Sequence, residues 1–162
     1  SSAAQATKRS PIETQRPEII KYNYPDGAHN AETLLVDPTS GIMYIVTKRY
    51  SGPARVFKLR SGSNMAEKLG EIALPAVPNG SVTGGDISPN GDRVVLCDYS
   101  AIYEYTLPKG GSVNAFFSIT PVVQKAGDRN IGEAITYSAD GRSLLLTSEG
   151  PISPIIQKKK KK

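Results

Sequence analysis

Short apolar segments alternate with polar turns along most of this chain. Residues Glu133 to Tyr137 and Ser143 to Thr147 are two such segments, and an Ala-Asp-Gly turn separates them. The turn glycine can adopt the positive φ that a tight hairpin needs, so the pattern predicts two antiparallel strands. Two earlier segments, 31–49 and 83–99, have the same order of apolar strand, polar turn and apolar strand.

The three predicted hairpins recur at a regular spacing. Successive turn glycines lie 50 residues apart, and so do the residues that end the second strands: Gly41, Gly91 and Gly141, and Thr47, Cys97 and Thr147. Further strand-like segments, rich in β-branched and aromatic residues, follow the first two hairpins at 54–60, 67–75, 101–108 and 113–123. Four short strands in about 50 residues is the size of one β-propeller blade. The predicted fold class is therefore all-β, with propeller-type four-stranded antiparallel blades in about three repeats of about 50 residues.

The hairpin sequences also resemble a known group of proteins. Segments 30–49, 84–99 and 132–150 are similar to blades of secreted bacterial-type propellers related to phytase-like, esterase-like and gluconolactonase-like proteins. The resemblance covers roughly residues 28 to 150. It implies an extracellular or periplasmic protein. The phytase-like resemblance implies calcium, and the gluconolactonase-like resemblance implies a divalent metal held by a glutamate at a strand start.

The predicted organisation has three parts. Residues 1–16 form an extended or disordered arm, residues 17–157 form the blades, and residues 158–162 form a poly-lysine tail, with repeats near 28–75, 82–123 and 130–157. The third repeat lacks an outermost strand. Segment 17–27 alternates apolar residues and is predicted as a strand that fills this place or belongs to another blade. Segment 151–157, which contains two prolines, is predicted at most as an edge strand.

Three blades do not complete a ring, because propellers typically close with four to eight blades. The open ends are expected to expose apolar faces that carry residues such as Leu144 with Leu146, or Ile20 with Tyr22. The predicted partners are therefore other protein chains or further blades of a larger protein.

The charge of the chain is concentrated at one end. It has 20 basic and 15 acidic residues, for a net charge of +5, and Lys158 to Lys162 supply five of the positive charges. The remainder is neutral and has no basic face, so nucleic acid is not an expected partner. No apolar run reaches the 18 residues of a membrane-spanning helix, so no membrane span is expected. With one cysteine and one histidine, a zinc site is not expected either.

Candidate site residues follow from the repeat, because like positions on radially arranged blades converge near the axis. Glu32 and Glu133 stand at the predicted starts of inner strands, and Asp86 lies within one. Carboxylate oxygens are the ligands that Ca²⁺ and Mg²⁺ prefer, so Glu32, Asp86 and Glu133 are the predicted metal ligands. The alternative for each carboxylate is a structural role, with hydrogen bonds to backbone amides or an ion pair.

Other polar residues are predicted around the same opening. Glu32, Glu133 and the nearby His29 are the candidate catalytic residues. The predicted ligand-binding residues leave the second strands on the same side: Lys48, Arg49, Asp98, Tyr99 and Glu149. Cys97, which ends an apolar strand, is expected to be a buried structural thiol.

Two functions remain open on the sequence alone. The first is an extracellular propeller-type binding or assembly module that contacts another chain through loops or blade edges. The alternative is an enzyme, a divalent-metal-dependent hydrolase of phosphoesters or of esters and lactones, with Glu32 and Glu133 as metal ligands. In the alternative, Lys48 or Arg49 orients an anionic group of the substrate.

Overall fold

The structure is a computed structural model that describes residues 15–127 and 131–159. It is all-β, with three separate antiparallel sheets and one short 3₁₀ helix in the described part of the chain. The first sheet has the order β1 Ala31–Val36, β2 Met43–Thr47, β3 Ala54–Leu59 and β4 Glu67–Ile72. The second has β5 Gly84–Ile87, β6 Arg93–Cys97, β7 Ala101–Thr106 and β8 Val122–Lys125. The third has the order β11 Ile156–Lys159, β10 Ser143–Ser148 and β9 Gly132–Tyr137. The all-β, blade-like prediction is confirmed.

Each hairpin turn closes in the same way. The amide of the residue after the first strand donates to a carbonyl five residues later, from Asp37 to Ile42, from Ser88 to Arg93 and from Ser138 to Ser143. Gly41, Gly91 and Gly141 have φ values of 69°, 72° and 66°. The positive φ that the turn sequences predicted is therefore present in all three hairpins.

These turn hydrogen bonds also correct the spacing of the repeat. They align Asp37 with Ser88 and Ser138, so the shift is 51 residues from the first sheet to the second and 50 from the second to the third. Val46, and not Thr47, therefore occupies the place of Cys97. The glycine spacing concealed this difference because Gly41 bonds back four residues to Asp37, whereas Gly91 bonds back three residues to Ser88.

The sheets pack side by side through their first strands, with β1 beside β5 and β5 beside β9. Two glycines in β5 permit this approach, since a Cβ on Gly84 would lie 2.9 Å from the Glu133 carbonyl oxygen and one on Gly85 would lie 3.0 Å from Thr33. A large apolar core fills the space between the first and second sheets, and a smaller core lies between the second and third.

The smaller core overturns one expectation. It contains Leu144 and Leu146, which are buried against Val95 and Cys97 of the second sheet. These leucines do not lie on an open face, because β10 turns them toward the preceding sheet. Cys97 is buried, as the sequence predicted.

Two predicted strands differ in the structure. Segment 113–123 contains a 3₁₀ helix, Val113–Ser118, before the short strand β8, because the Ser112 hydroxyl accepts a hydrogen bond from the Asn114 amide and caps the helix. Segment 17–27 forms only an isolated bridge between Asn23 and Met65. Its tyrosines pack on the first sheet against Phe57, so this segment does not supply a fourth strand to the third sheet.

The lysine run is partly structured. Lys158 and Lys159 belong to β11, which pairs with β10 as the edge strand of the third sheet. Backbone pairing with β10 therefore extends the strand into the first two lysines of the run. Lys160 to Lys162 and most of the predicted arm, residues 1–14, lie outside the described residues. No helix among the residues described is both long and apolar enough to span a membrane.

Candidate functional site

The first strands of the first and third sheets bring two predicted site residues together. The Lys48 ammonium lies 3.5 Å from a carboxylate oxygen of Glu32 and 3.6 Å from one of Glu133. Glu32 is in β1, Glu133 is in β9, and Lys48 directly follows β2. The two glutamates therefore lie near one lysine, which stands between them.

The lysine is enclosed by aromatic rings as well as carboxylates. Its side chain is buried, and its ammonium lies 5.0 Å from the centre of the Tyr99 ring and 6.0 Å from that of Tyr50. Burial alone would lower the pKa of Lys48, but the hydrogen bond to Tyr99 and the charge of Glu32 outweigh it and raise the pKa. Lys48 is therefore a permanent cation that joins residues of all three sheets.

Asp86 does not join these glutamates. One of its carboxylate oxygens accepts hydrogen bonds from the Thr136 hydroxyl at 2.7 Å and the Tyr137 amide at 2.8 Å, and so ties β5 to β9. Within the described residues, no group of three or more His, Cys, Asp or Glu side chains has an arrangement that could hold a metal ion. The predicted ligand set of Glu32, Asp86 and Glu133 is thus not assembled, because the ammonium and the neighbouring strand satisfy the carboxylates.

His29, a candidate catalytic residue, lies elsewhere. Its ring nitrogen is 2.7 Å from Asp26 and 3.3 Å from Arg55, and its ring packs against Tyr24 and Phe57. The side chain is mostly buried on the outward face of the first sheet. This arrangement holds segment 22–29 onto that face, and it does not bring the imidazole into contact with Glu32 or Glu133.

The remaining predicted ligand-binding residues mainly organise loops. The Arg49 guanidinium donates to the Pro53 carbonyl, and its amide donates to the Gly80 carbonyl. Asp98 accepts hydrogen bonds from the amides of Ser100 and Ala101 and lies 2.5 Å from the Tyr103 hydroxyl. Glu149 is exposed. Of these residues, Tyr99 lies at the lysine site, through the face of its ring.

A second polar cluster, centred on Arg93, was not predicted from the sequence. Arg93, at the start of β6, donates to Glu104 at 3.0 Å and to the Gly141 carbonyl at 2.9 Å, while Tyr137 donates to the same Glu104 oxygen at 3.0 Å. The signal was a charged residue at the start of an apolar strand, which requires a partner when it is buried. The cluster joins the second sheet to the third, through Tyr137 at the end of β9 and Gly141 in the following turn.

The outward face of the first sheet exposes apolar side chains. Leu34 and Val36 in β1 are 57% and 47% exposed. Ile87 in β5 occupies the place of Val36, and Ile135 in β9 occupies the place of Leu34. These two residues are only 4% and 6% exposed, because a preceding sheet covers them. A groove of about 360 Å³ runs along this outward face beside Ile20, Met43 and Ile45.

Comparison with known proteins gives a likeness of fold. No protein-family profile matches the chain, and no curated protein matches it. Among solved structures, the chain is similar to a chain of hydrazine synthase from Kuenenia stuttgartiensis, with a TM-score of 0.52 and 18% sequence identity. The match covers 80% of this chain and 34% of that chain, so this chain spans about a third of the hydrazine synthase chain. At this identity the likeness concerns the fold alone.

Proposed function

We propose that the three sheets are consecutive blades of a β-propeller and that the chain is a binding or assembly module. Its contact surface is the outward face of the first sheet, defined by the exposed Leu34 and Val36 and the partly buried Met43 beside them. The partner is another β-sheet, supplied either by a second chain or by further blades of a larger protein. The extracellular or periplasmic location suggested by the sequence remains part of this proposal.

The proposal rests on one observation: the outward face of the first sheet corresponds to faces that are packed in the other two sheets. Met43 and Ile45 of the first sheet correspond to Val94 and Leu96 of the second and to Leu144 and Leu146 of the third. In the second and third sheets, this face packs on the preceding sheet. In the first sheet the same apolar pattern recurs, and among the described residues the segment before β1 covers part of it, with Tyr22 and Tyr24 against Phe57 and Ile20 beside Met43.

The chemistry of the partner follows from the two packed pairs. In both pairs β5 supplies a glycine. Gly85 lies against the Thr33 side chain of β1, and Gly84 lies against the Glu133 carbonyl oxygen of β9. A sheet with small residues on its inner strand could approach β1 in the same way, and would bury Leu34 and Val36. Burial of such a side chain is worth about 2 kcal/mol, so two of them supply a substantial part of a contact.

Light scattering coupled to size-exclusion chromatography tests this proposal. The purified chain is expected to form assemblies larger than its 17.3 kDa monomer. The double variant Leu34→Asp, Val36→Asp should shift the chain toward the monomer and keep the β-sheet circular dichroism signal, because both residues are exposed in the isolated chain.

A matched control places the same charges elsewhere. Val77 and Ile152 are 99% and 94% exposed and lie in loops, so Val77→Asp with Ile152→Asp should leave the assembly unchanged. Equal loss of assembly in both double variants would contradict the proposal, and a stable monomer at every concentration would rule out self-association through this face.

A further inference from the structure

A cleft between the second and third sheets has four cationic side chains among its ten lining residues. It encloses about 460 Å³, and the charged residues that line it are Arg93, Glu104, Arg142, Lys158 and Lys159. This cleft lies apart from the Lys48 site and from the outward face of the first sheet. Its volume falls in the range of small-molecule binding pockets, roughly 300–1,000 Å³.

The buried charges at the base of this cleft are already balanced. Arg93 is 11% exposed and pairs with Glu104 and Asp92, and its guanidinium lies over the Tyr137 ring at 4.9 Å. Because burial is offset by the hydrogen bond to Glu104, the pKa of Arg93 is raised and its charge is permanent. Arg93 therefore lies at the base of the cleft and connects the two sheets through Glu104 and the Gly141 carbonyl.

The rim of the cleft carries more cations than the lining has carboxylates. Arg142 follows Gly141 in the β9–β10 turn, and Lys158 and Lys159 come from the edge strand β11. The Lys158 ammonium donates to the Lys125 carbonyl, which fixes it at the cleft. Among the described residues, the lining has three cations beyond the balanced Arg93–Glu104 pair, and Asp140 interacts electrostatically with one of them, Arg142. Cations on a concave surface concentrate the positive potential there.

We propose that this cleft binds a small phosphate-bearing anion. The Arg142 guanidinium can donate two parallel hydrogen bonds to phosphate oxygens, and the two lysine ammonium groups can neutralise additional charge. The Gln124 amide, also at the lining, supplies a neutral donor. In this proposal, Lys158 and Lys159, the first two residues of the lysine run, bind the ligand.

Isothermal titration calorimetry with inorganic pyrophosphate, at fixed low ionic strength, tests the cleft. The double variant Arg142→Gln, Lys159→Gln should bind pyrophosphate at least tenfold more weakly than the unaltered chain. The control Lys21→Gln, Lys109→Gln removes the same charge from exposed positions outside the cleft and should change the affinity less than twofold. Equal weakening in both double variants would show attraction to overall charge and would overturn the proposal.

Two variants of Gln124 test the effect of charge at the cleft while every cation is kept. Gln124→Glu adds a carboxylate to the lining and should abolish pyrophosphate binding. Gln124→Leu is the neutral control, and it should weaken binding only a few-fold because it removes one amide donor. Unchanged binding by Gln124→Glu, with intact circular dichroism, would overturn the proposal. Citrate serves as a carboxylate polyanion, and affinity for citrate equal to that for pyrophosphate would overturn the assignment to phosphate.

Discussion

The Lys48 ammonium lies 3.6 Å from Glu133 and thereby links the end of β2 to the start of β9, two sheets away. The same ammonium lies 3.5 Å from Glu32 of its own sheet. A cation between two carboxylates reduces their mutual repulsion where the first strands converge. The pair that the repeat pattern singled out for metal binding is thus connected by a lysine from the same set of predicted residues.

Removal of this ammonium should destabilise the chain. Lys48→Met leaves Glu32 and Glu133 without their shared cation, and because both carboxylates are about a third exposed, the loss should be about 1–2 kcal/mol. Urea unfolding followed by circular dichroism measures it. In a double-mutant cycle, Glu133→Gln should cost less in the Lys48→Met background than alone, whereas the exposed Glu149→Gln should be additive. Additivity of Lys48→Met with Glu133→Gln would contradict the ion-pair role.

The close approach of β5 and β9 gives a second prediction. Gly84→Val adds a side chain where a Cβ already meets the Glu133 carbonyl at 2.9 Å, so it should lower the free energy of unfolding by about 1–3 kcal/mol. Ala134 occupies the corresponding place in the third sheet and is exposed, so Ala134→Val is the matched control and should be nearly neutral. Similar unfolding midpoints for the two variants would show that the first strands are not in close contact.

The two leucines of β10, Leu144 and Leu146, should respond to substitution differently from the exposed Val36 in β1. Leu144→Asp or Leu146→Asp places a carboxylate in the core between the second and third sheets and should unfold the chain. Val36→Asp changes an exposed side chain and should shift the melting temperature by only a few degrees. Thermal melts that rank Val36→Asp as the more damaging change would contradict this assignment of faces.

Acid should weaken the hairpin turns. Burial opposes ionisation of Asp37 and Asp92, but hydrogen bonds from Ser40 and Ser88 prevail and lower the pKa of each carboxyl, and a bond from Ser138 lowers that of Asp140. A carboxyl with a lowered pKa in the folded chain stabilises it fully above its unfolded value of 3.8. That stability is lost as the pH falls through the lower folded values. Melting temperatures measured between pH 5 and pH 2 should therefore fall most steeply below about pH 4. Asp37→Asn should flatten this decline, and an unchanged pH profile would contradict the role of this turn.

The sequence predicted the hairpins well because their information is local. A glycine at the turn and alternating apolar residues on both sides specify each hairpin without reference to the rest of the chain. Glu32 and Glu133 could be paired because they stand at equal places in the repeat, and both lie within 3.6 Å of the Lys48 ammonium. The 3₁₀ helix at Val113–Ser118 was missed because its composition, with Val and two Phe, is typical of strands.

Contacts between sheets were harder to predict. Nothing local to Lys48 indicates that it reaches a glutamate 85 residues later in the chain, and nothing local to Arg93 identifies Glu104 and Gly141 as its acceptors. The pairing of Lys158 and Lys159 with β10 also depends on a partner strand and not on the charge run itself. These features follow from packing, which overrides local propensity.

The most direct test of the proposed contact surface is the reactivity of a thiol placed on it. In a Cys97→Ala background, Val36→Cys puts a single cysteine on the outward face of the first sheet, and Ile152→Cys puts one in an exposed loop as the reference. Maleimide labelling is measured over a range of protein concentrations. If the first sheet packs against a partner, the Val36→Cys thiol becomes progressively protected as assemblies form, while the Ile152→Cys thiol remains reactive. Equal labelling rates of the two thiols at every concentration would contradict it.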